Sequence, residues 1–67
     1  MNLKVSDNNN FNLSLIIQIN YDMGYVEFIV KLFNKINSRK QMRVFDANQF
    51  DLALKYYNEQ ERMFIAQ

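Results

Sequence analysis

Acid–base chemistry in this chain depends on carboxylates, because its 67 residues include no histidine and no cysteine. The seven acidic residues are Asp7, Asp22, Glu27, Asp46, Asp51, Glu59 and Glu61. Paired carboxylates can cleave glycosides or hold magnesium, but most of these have simpler explanations as helix caps or ion-pair partners. A chain this short also has little room for a concave pocket. We therefore expect no enzyme activity, no metal site, no cofactor and no small-molecule substrate.

The basic residues are concentrated in one part of the sequence. Five of the eight lie within residues 31–43, where no acid occurs: Lys31, Lys35, Arg39, Lys40 and Arg43. Such a cluster can bind the phosphates of a nucleic acid or an acidic partner. It can equally be a solvated surface that complements the negative end of a helix dipole. The solvated surface is the favoured interpretation, and phosphate binding is the alternative.

The first twenty residues predict a β-hairpin. Residues 3–5 form a short candidate strand, and residues 6–10 predict a turn, since Asn and Asp tolerate left-handed backbone. Residues 11–19 alternate apolar and polar side chains with one exception, Ile16, which indicates a strand. This strand contains no Lys, Pro or charge that would protect an edge. We expect it to pair with a second copy or with a partner's strand.

Segment 25–34 allows two interpretations. Its β-branched and aromatic residues favour a strand. Its polar residues cluster at the helical period, and Asp22 is placed to cap a helix that begins at Met23. We prefer the helix, and we interpret the polar residues 38–44 as a connector.

The last third of the sequence predicts a second helix. Asp46 occupies the N-cap and Gln49 the capping-box position, so the helix should run from Ala47 almost to the last residue. Its core stripe includes Phe50, Ala53, Leu54 and Tyr57, and a different side carries Leu52, Tyr56 and Met63. These three residues predict either a partner-binding surface or a wide core face.

These elements predict one small α+β domain over residues 1–67, with an N-terminal β-hairpin followed by two α-helices (ββαα). A chain of this length buries only about 60% of its unfolded surface. Without cysteine, oligomerisation is the favoured additional source of stability. No basic region followed by an apolar run opens the sequence, and no apolar run is long enough to span a bilayer, so we expect a cytoplasmic protein with no membrane partner.

The functional expectation is a non-catalytic protein–protein interaction module that binds another protein, itself as a homodimer, or both. Leu52, Tyr56 and Met63 are the predicted partner-binding residues. The small size and the abundant asparagine are typical of bacterial and phage proteins. They suggest an inhibitor, encoded by a phage or a mobile element, of a host protein or defence complex. The alternative is a small dimeric nucleic-acid-binding regulator that uses segment 31–43.

Overall fold

The protein folds as a four-stranded antiparallel sheet followed by one helical segment. The computed structural model describes residues 1–66. The strands lie side by side in chain order, namely β1 (Asn2–Asp7), β2 (Phe11–Asn20), β3 (Tyr25–Asn34) and β4 (Arg39–Asp46). The helical segment consists of a 3₁₀ turn (Ala47–Gln49), helix α1 (Phe50–Gln60) and a π-helical turn (Glu61–Ile65). The architecture is therefore α+β with the order ββββα.

The predicted ββαα order is wrong in its middle, where segment 25–34 is a strand. β3 pairs with β2 along its whole length, from Asn20 opposite Tyr25 to Phe11 opposite Asn34. Both faces of β3 carry apolar side chains, so the segment lacks the simple alternation of a half-buried strand. This two-sided apolar character resembles the wide apolar arc of a buried helix, which explains the error.

The predicted connector 38–44 is also wrong, because these residues belong to β4. β4 pairs with β3, which places Met42 opposite Lys31 and Val44 opposite Ile29. It is an edge strand, and edge strands commonly carry charged residues. Asp22 caps no helix, since it lies in the turn between β2 and β3.

The predicted N-terminal hairpin and the predicted start of the last helix are confirmed. β1 and β2 form the N-terminal hairpin, and the helical segment begins after Asp46 with the predicted capping box. In this box the Asp46 backbone N–H donates to Gln49 Oε1 at 3.0 Å.

Edge pairing through strand 11–19 is contradicted by the sheet order. β2 lies inside the sheet and is paired with β1 on one side and with β3 on the other. The two edges of the sheet belong to β1 and β4.

The hydrophobic core lies between one side of the sheet and α1. Its buried residues come from β2, β3, β4 and α1: Leu13, Leu15, Val30, Leu32, Phe45, Ala53 and Tyr57. Two tilted aromatic pairs flank it, Phe11 with Phe64 and Phe28 with Phe50, each with ring centroids 5.0 Å apart. Because a single helix covers a single side, the sheet has a helix-facing side and an opposite side.

The turns of the last two hairpins differ in how they accommodate left-handed backbone. Each turn has four residues, and its final residue has a positive φ, 71° at Gly24 and 59° at Ser38. Left-handed backbone costs a non-glycine residue roughly 1–2 kcal/mol, and glycine avoids this cost.

We predict that Ser38→Gly stabilises the protein by about 0.5–1 kcal/mol. Glycine relieves the strain of the left-handed backbone, and its greater entropy in the unfolded chain offsets part of that gain. Gly24→Ala should destabilise it by about 1 kcal/mol, although a Cβ there meets no atom within 4 Å. Urea unfolding of both variants and the wild type measures the two effects. A Ser38→Gly variant no more stable than the wild type would contradict the strain argument.

Candidate functional site

The five basic residues proposed as a phosphate-binding cluster do not form one surface. Side chains alternate along a strand, so Lys31 and Lys40 lie on the side of the sheet opposite α1. By the same alternation, Arg39 and Arg43 lie on the helix-facing side. Lys35 lies in the turn between β3 and β4. The structure therefore divides these charges among three locations.

Two of the basic side chains also have partners within the fold. Lys35 Nζ lies 2.8 Å from the Asp7 carboxylate and donates to the Asn8 carbonyl oxygen at 2.7 Å. The hydrogen bond from Lys35 is the main reason why the pKa of Asp7 is lowered. The Arg43 guanidinium lies 5.1 Å from the ring centre of Phe45 and 4.9 Å from that of Tyr56, which is cation–π geometry.

The three predicted partner-binding residues lie on the outer part of the helical segment. Leu52 is 53% exposed and Met63 is 51% exposed. Tyr56 is partly buried, with its ring 5.9 Å from that of Phe45 on β4. Tyr56 therefore contributes to the packing of α1 on the sheet, whereas Leu52 and Met63 project further into solvent.

The side of the sheet opposite α1 carries a second apolar surface, which we call the open face. Its apolar side chains come from all four strands and are Val5, Ile16, Ile29, Phe33, Met42 and Val44. The strand register places Ile16, Ile29 and Val44 in one row across the sheet. A neighbouring row contains Val5, Ser14, Lys31 and Met42. Met42 is 60% exposed and Val44 is 51% exposed.

Charged side chains lie at the two ends of the open face, and their signs are opposite. Lys31 and Lys40 lie towards the end formed by the β3–β4 turn, and Glu27 pairs directly with Asp46 at the other end. Lys40 and Asp46 are six residues apart on one strand, which corresponds to about 20 Å. Asp7 lies on the first end as well, but it is already paired with Lys35.

The open face was not predicted from the sequence, because segments 25–34 and 38–44 were not assigned as strands. Alternation within 39–46 was the available signal, since Lys40, Met42, Val44 and Asp46 share one parity and Arg39, Gln41, Arg43 and Phe45 the other. That alternation becomes informative only once β3 is known to be the neighbouring strand.

A hydrogen-bonded cluster joins β1 to the helical segment. The Ser6 hydroxyl donates to the Glu61 carboxylate, and the Tyr57 hydroxyl donates to Ser6 Oγ. Lys4 Nζ lies 5.0 Å from the centre of the Tyr57 ring, which is itself fully buried. Burial is the main reason why the pKa of Tyr57 is raised, and the nearby Glu61 charge acts in the same direction. Because the cluster lies between α1 and the sheet, it fixes the position of the helix.

Among residues 1–66, no three acidic side chains lie close enough together to hold a metal ion. No helix in the same range is long and apolar enough to span a membrane. Comparisons of the chain with family models, curated proteins and solved structures gave no match.

We predict that Tyr57→Phe destabilises the protein by about 1 kcal/mol at neutral pH, since it removes one buried hydrogen bond. The unfolded chain loses the Tyr57 proton near pH 10, whereas the folded chain keeps it to a higher pH, so the stability that Tyr57 provides falls as the pH rises through this range. Tyr57→Phe should therefore lose less stability between pH 9 and pH 11 than the wild type does, because phenylalanine has no proton to lose.

Unfolding by urea at several pH values measures this difference, and Tyr21→Phe is the matched control because the Tyr21 ring is 87% exposed. Equal alkaline losses in wild type and Tyr57→Phe would contradict the assignment.

Proposed function

We propose that the protein is a non-catalytic protein-interaction domain whose binding surface is the open face. The observation that carries this proposal is the row of apolar side chains on the side opposite α1, which crosses β2, β3 and β4 at Ile16, Ile29 and Val44. A sheet needs a second layer on each apolar face, and α1 supplies only one.

The energetics favour covering the open face. Each Å² of apolar surface removed from water contributes roughly 25 cal/mol. Contiguous apolar surface rimmed by charge is a common feature of protein-binding sites. The open face has this composition, with Ile16, Ile29 and Val44 in its middle and charged residues at its ends.

A β-surface with charges of both signs suits a protein partner better than a nucleic acid. A nucleic-acid site needs basic residues gathered on one surface, and here Lys31 and Lys40 share their face with Glu27 and Asp46. The dimeric nucleic-acid regulator is therefore the second candidate. If the protein is an interaction domain, we further propose that it inhibits a host protein or defence complex. A binding domain without catalytic groups acts by occupying its partner's surface.

Photo-crosslinking tests the proposed surface. A photoreactive phenylalanine analogue replaces Met42 on the open face or Leu52 on α1, two positions of similar exposure. The experiment is done in an extract of the cells that encode the chain and, separately, with the purified protein. In both we expect position 42 to give protein adducts at high yield. Excess unlabelled wild type should reduce that yield. Adducts from position 52 and none from position 42 would contradict the proposal and would favour the surface around Leu52, Tyr56 and Met63.

A mobility-shift titration at low and moderate salt tests the second candidate. We expect no shift of duplex or single-stranded nucleic acid at low salt. Binding that weakens steeply with salt would instead support the regulator, since each neutralised phosphate contributes about 0.9 to the logarithmic salt slope. In that case Lys31→Glu/Lys40→Glu and Arg39→Glu/Arg43→Glu would show which side of the sheet binds.

A further inference from the structure

We propose that the partner of the open face is a second copy of this chain, packed face to face to form a two-sheet dimer. This inference rests on the proposed function, and it adds the identity of the partner and the geometry of the complex. The arrangement of charges on the open face and the size of that face both favour a second copy.

The charge arrangement is self-complementary under one twofold operation. The twofold axis lies between the two open faces and runs perpendicular to the strands. It stacks each strand on the same strand of the second copy, in the opposite direction. The basic end of one copy then faces the acidic end of the other. On β4 this places Lys40 over Asp46 of the second copy. The contact is isologous, so each charge pair forms twice.

The same operation also matches two apolar residues on β4. The axis passes over the level of Arg43 on β4, so Met42 faces Val44 of the second copy. On β3, Ile29 faces the aliphatic part of Lys31. At the same level Glu27 on β3 faces Phe33 of the second copy, and Ile16 on β2 faces Ser14. The direct matches therefore lie on β4. An axis along the strands would leave the basic end of one copy over the basic end of the other, with Lys40 over Asp7, which is already paired with Lys35. The charges therefore favour the axis across the strands.

The dimensions of the molecule suit such a dimer. The chain measures 37 × 22 × 15 Å, and its smallest dimension is that of one sheet and one helix layer. The broad side spans at most 37 × 22 Å, which is the scale of a standard interface of about 800 Å² per partner. Two such faces pack about 10 Å apart with strands inclined by about 30°. The dimer would then be a helix–sheet–sheet–helix sandwich.

The first experiment places a charge at the centre of the proposed interface. Sedimentation velocity from micromolar to near-millimolar protein compares the wild type with Met42→Glu and Leu52→Glu. We expect a wild-type dimer, at least tenfold weaker dimerisation in Met42→Glu, and no change in Leu52→Glu. Circular dichroism and the unfolding midpoint confirm that each variant is folded. A wild type that stays monomeric, or a dimer lost only in Leu52→Glu, overturns the proposal.

The second experiment uses charge reversal, which separates pairing from folding. The variant Lys31→Glu/Lys40→Glu carries only acidic residues at both ends of the open face. The variant Glu27→Lys/Asp46→Asn carries basic residues, and asparagine keeps the N-cap because it caps helices as well as aspartate does. We expect each variant alone to dimerise at least tenfold more weakly than the wild type, and an equimolar mixture to form a heterodimer. A mixture that associates no better than its components overturns the proposed geometry.

Failure of the dimer is distinguishable from failure of the proposed function. A monomeric wild type whose position 42 still crosslinks to a different protein overturns the second copy as partner and supports the proposed function. A monomeric wild type with no adduct from position 42 overturns both.

Discussion

The packing of α1 on one side of the sheet is the constraint on which the rest of this structure depends. Leu13, Leu15, Val30 and Leu32 become a core only when Ala53 and Tyr57 cover them. The Tyr57 hydroxyl, through Ser6, also fixes the helix against the first strand. One helix is enough to cover one face of four strands, and a second layer would need additional chain. The exposed opposite side therefore follows from how the core is built.

The predictable parts of the fold were those determined by local sequence. The alternation of β2 and the capping box at Asp46 each involve residues close together in the chain, so their patterns could be interpreted without knowing the neighbours. β3 was different, because its residues are apolar on both faces. What makes it a strand is its pairing with β2 and β4, and such pairing is not visible in a single segment.

The candidate sites followed from the same assignments. The basic segment 31–43 was treated as one cluster because helix and loop geometry would keep its charges together. Strand geometry sends Arg43 and Lys40 to opposite sides of the sheet, so the cluster is divided. The open face is the opposite case, because the sequence did not predict it and the fold assembles it. Its residues are distant in sequence and come together only through the register of four strands. Leu52, which the sequence left open between a binding surface and a wide core face, is exposed. Exposure alone does not distinguish a binding surface from an ordinary helix surface.

The order of the elements along the chain has a consequence for synthesis on the ribosome. All four strands emerge before the helix that covers them, so the growing chain exposes both apolar faces of a sheet at once. The contacts that close the core are distant in sequence, such as that of Asn8 Nδ2 with the Phe64 carbonyl oxygen at 3.0 Å. Exposed strands of this kind are prone to aggregation and are the species that chaperones bind. Until the helix emerges, the nascent chain therefore depends on such protection or on rapid completion of synthesis.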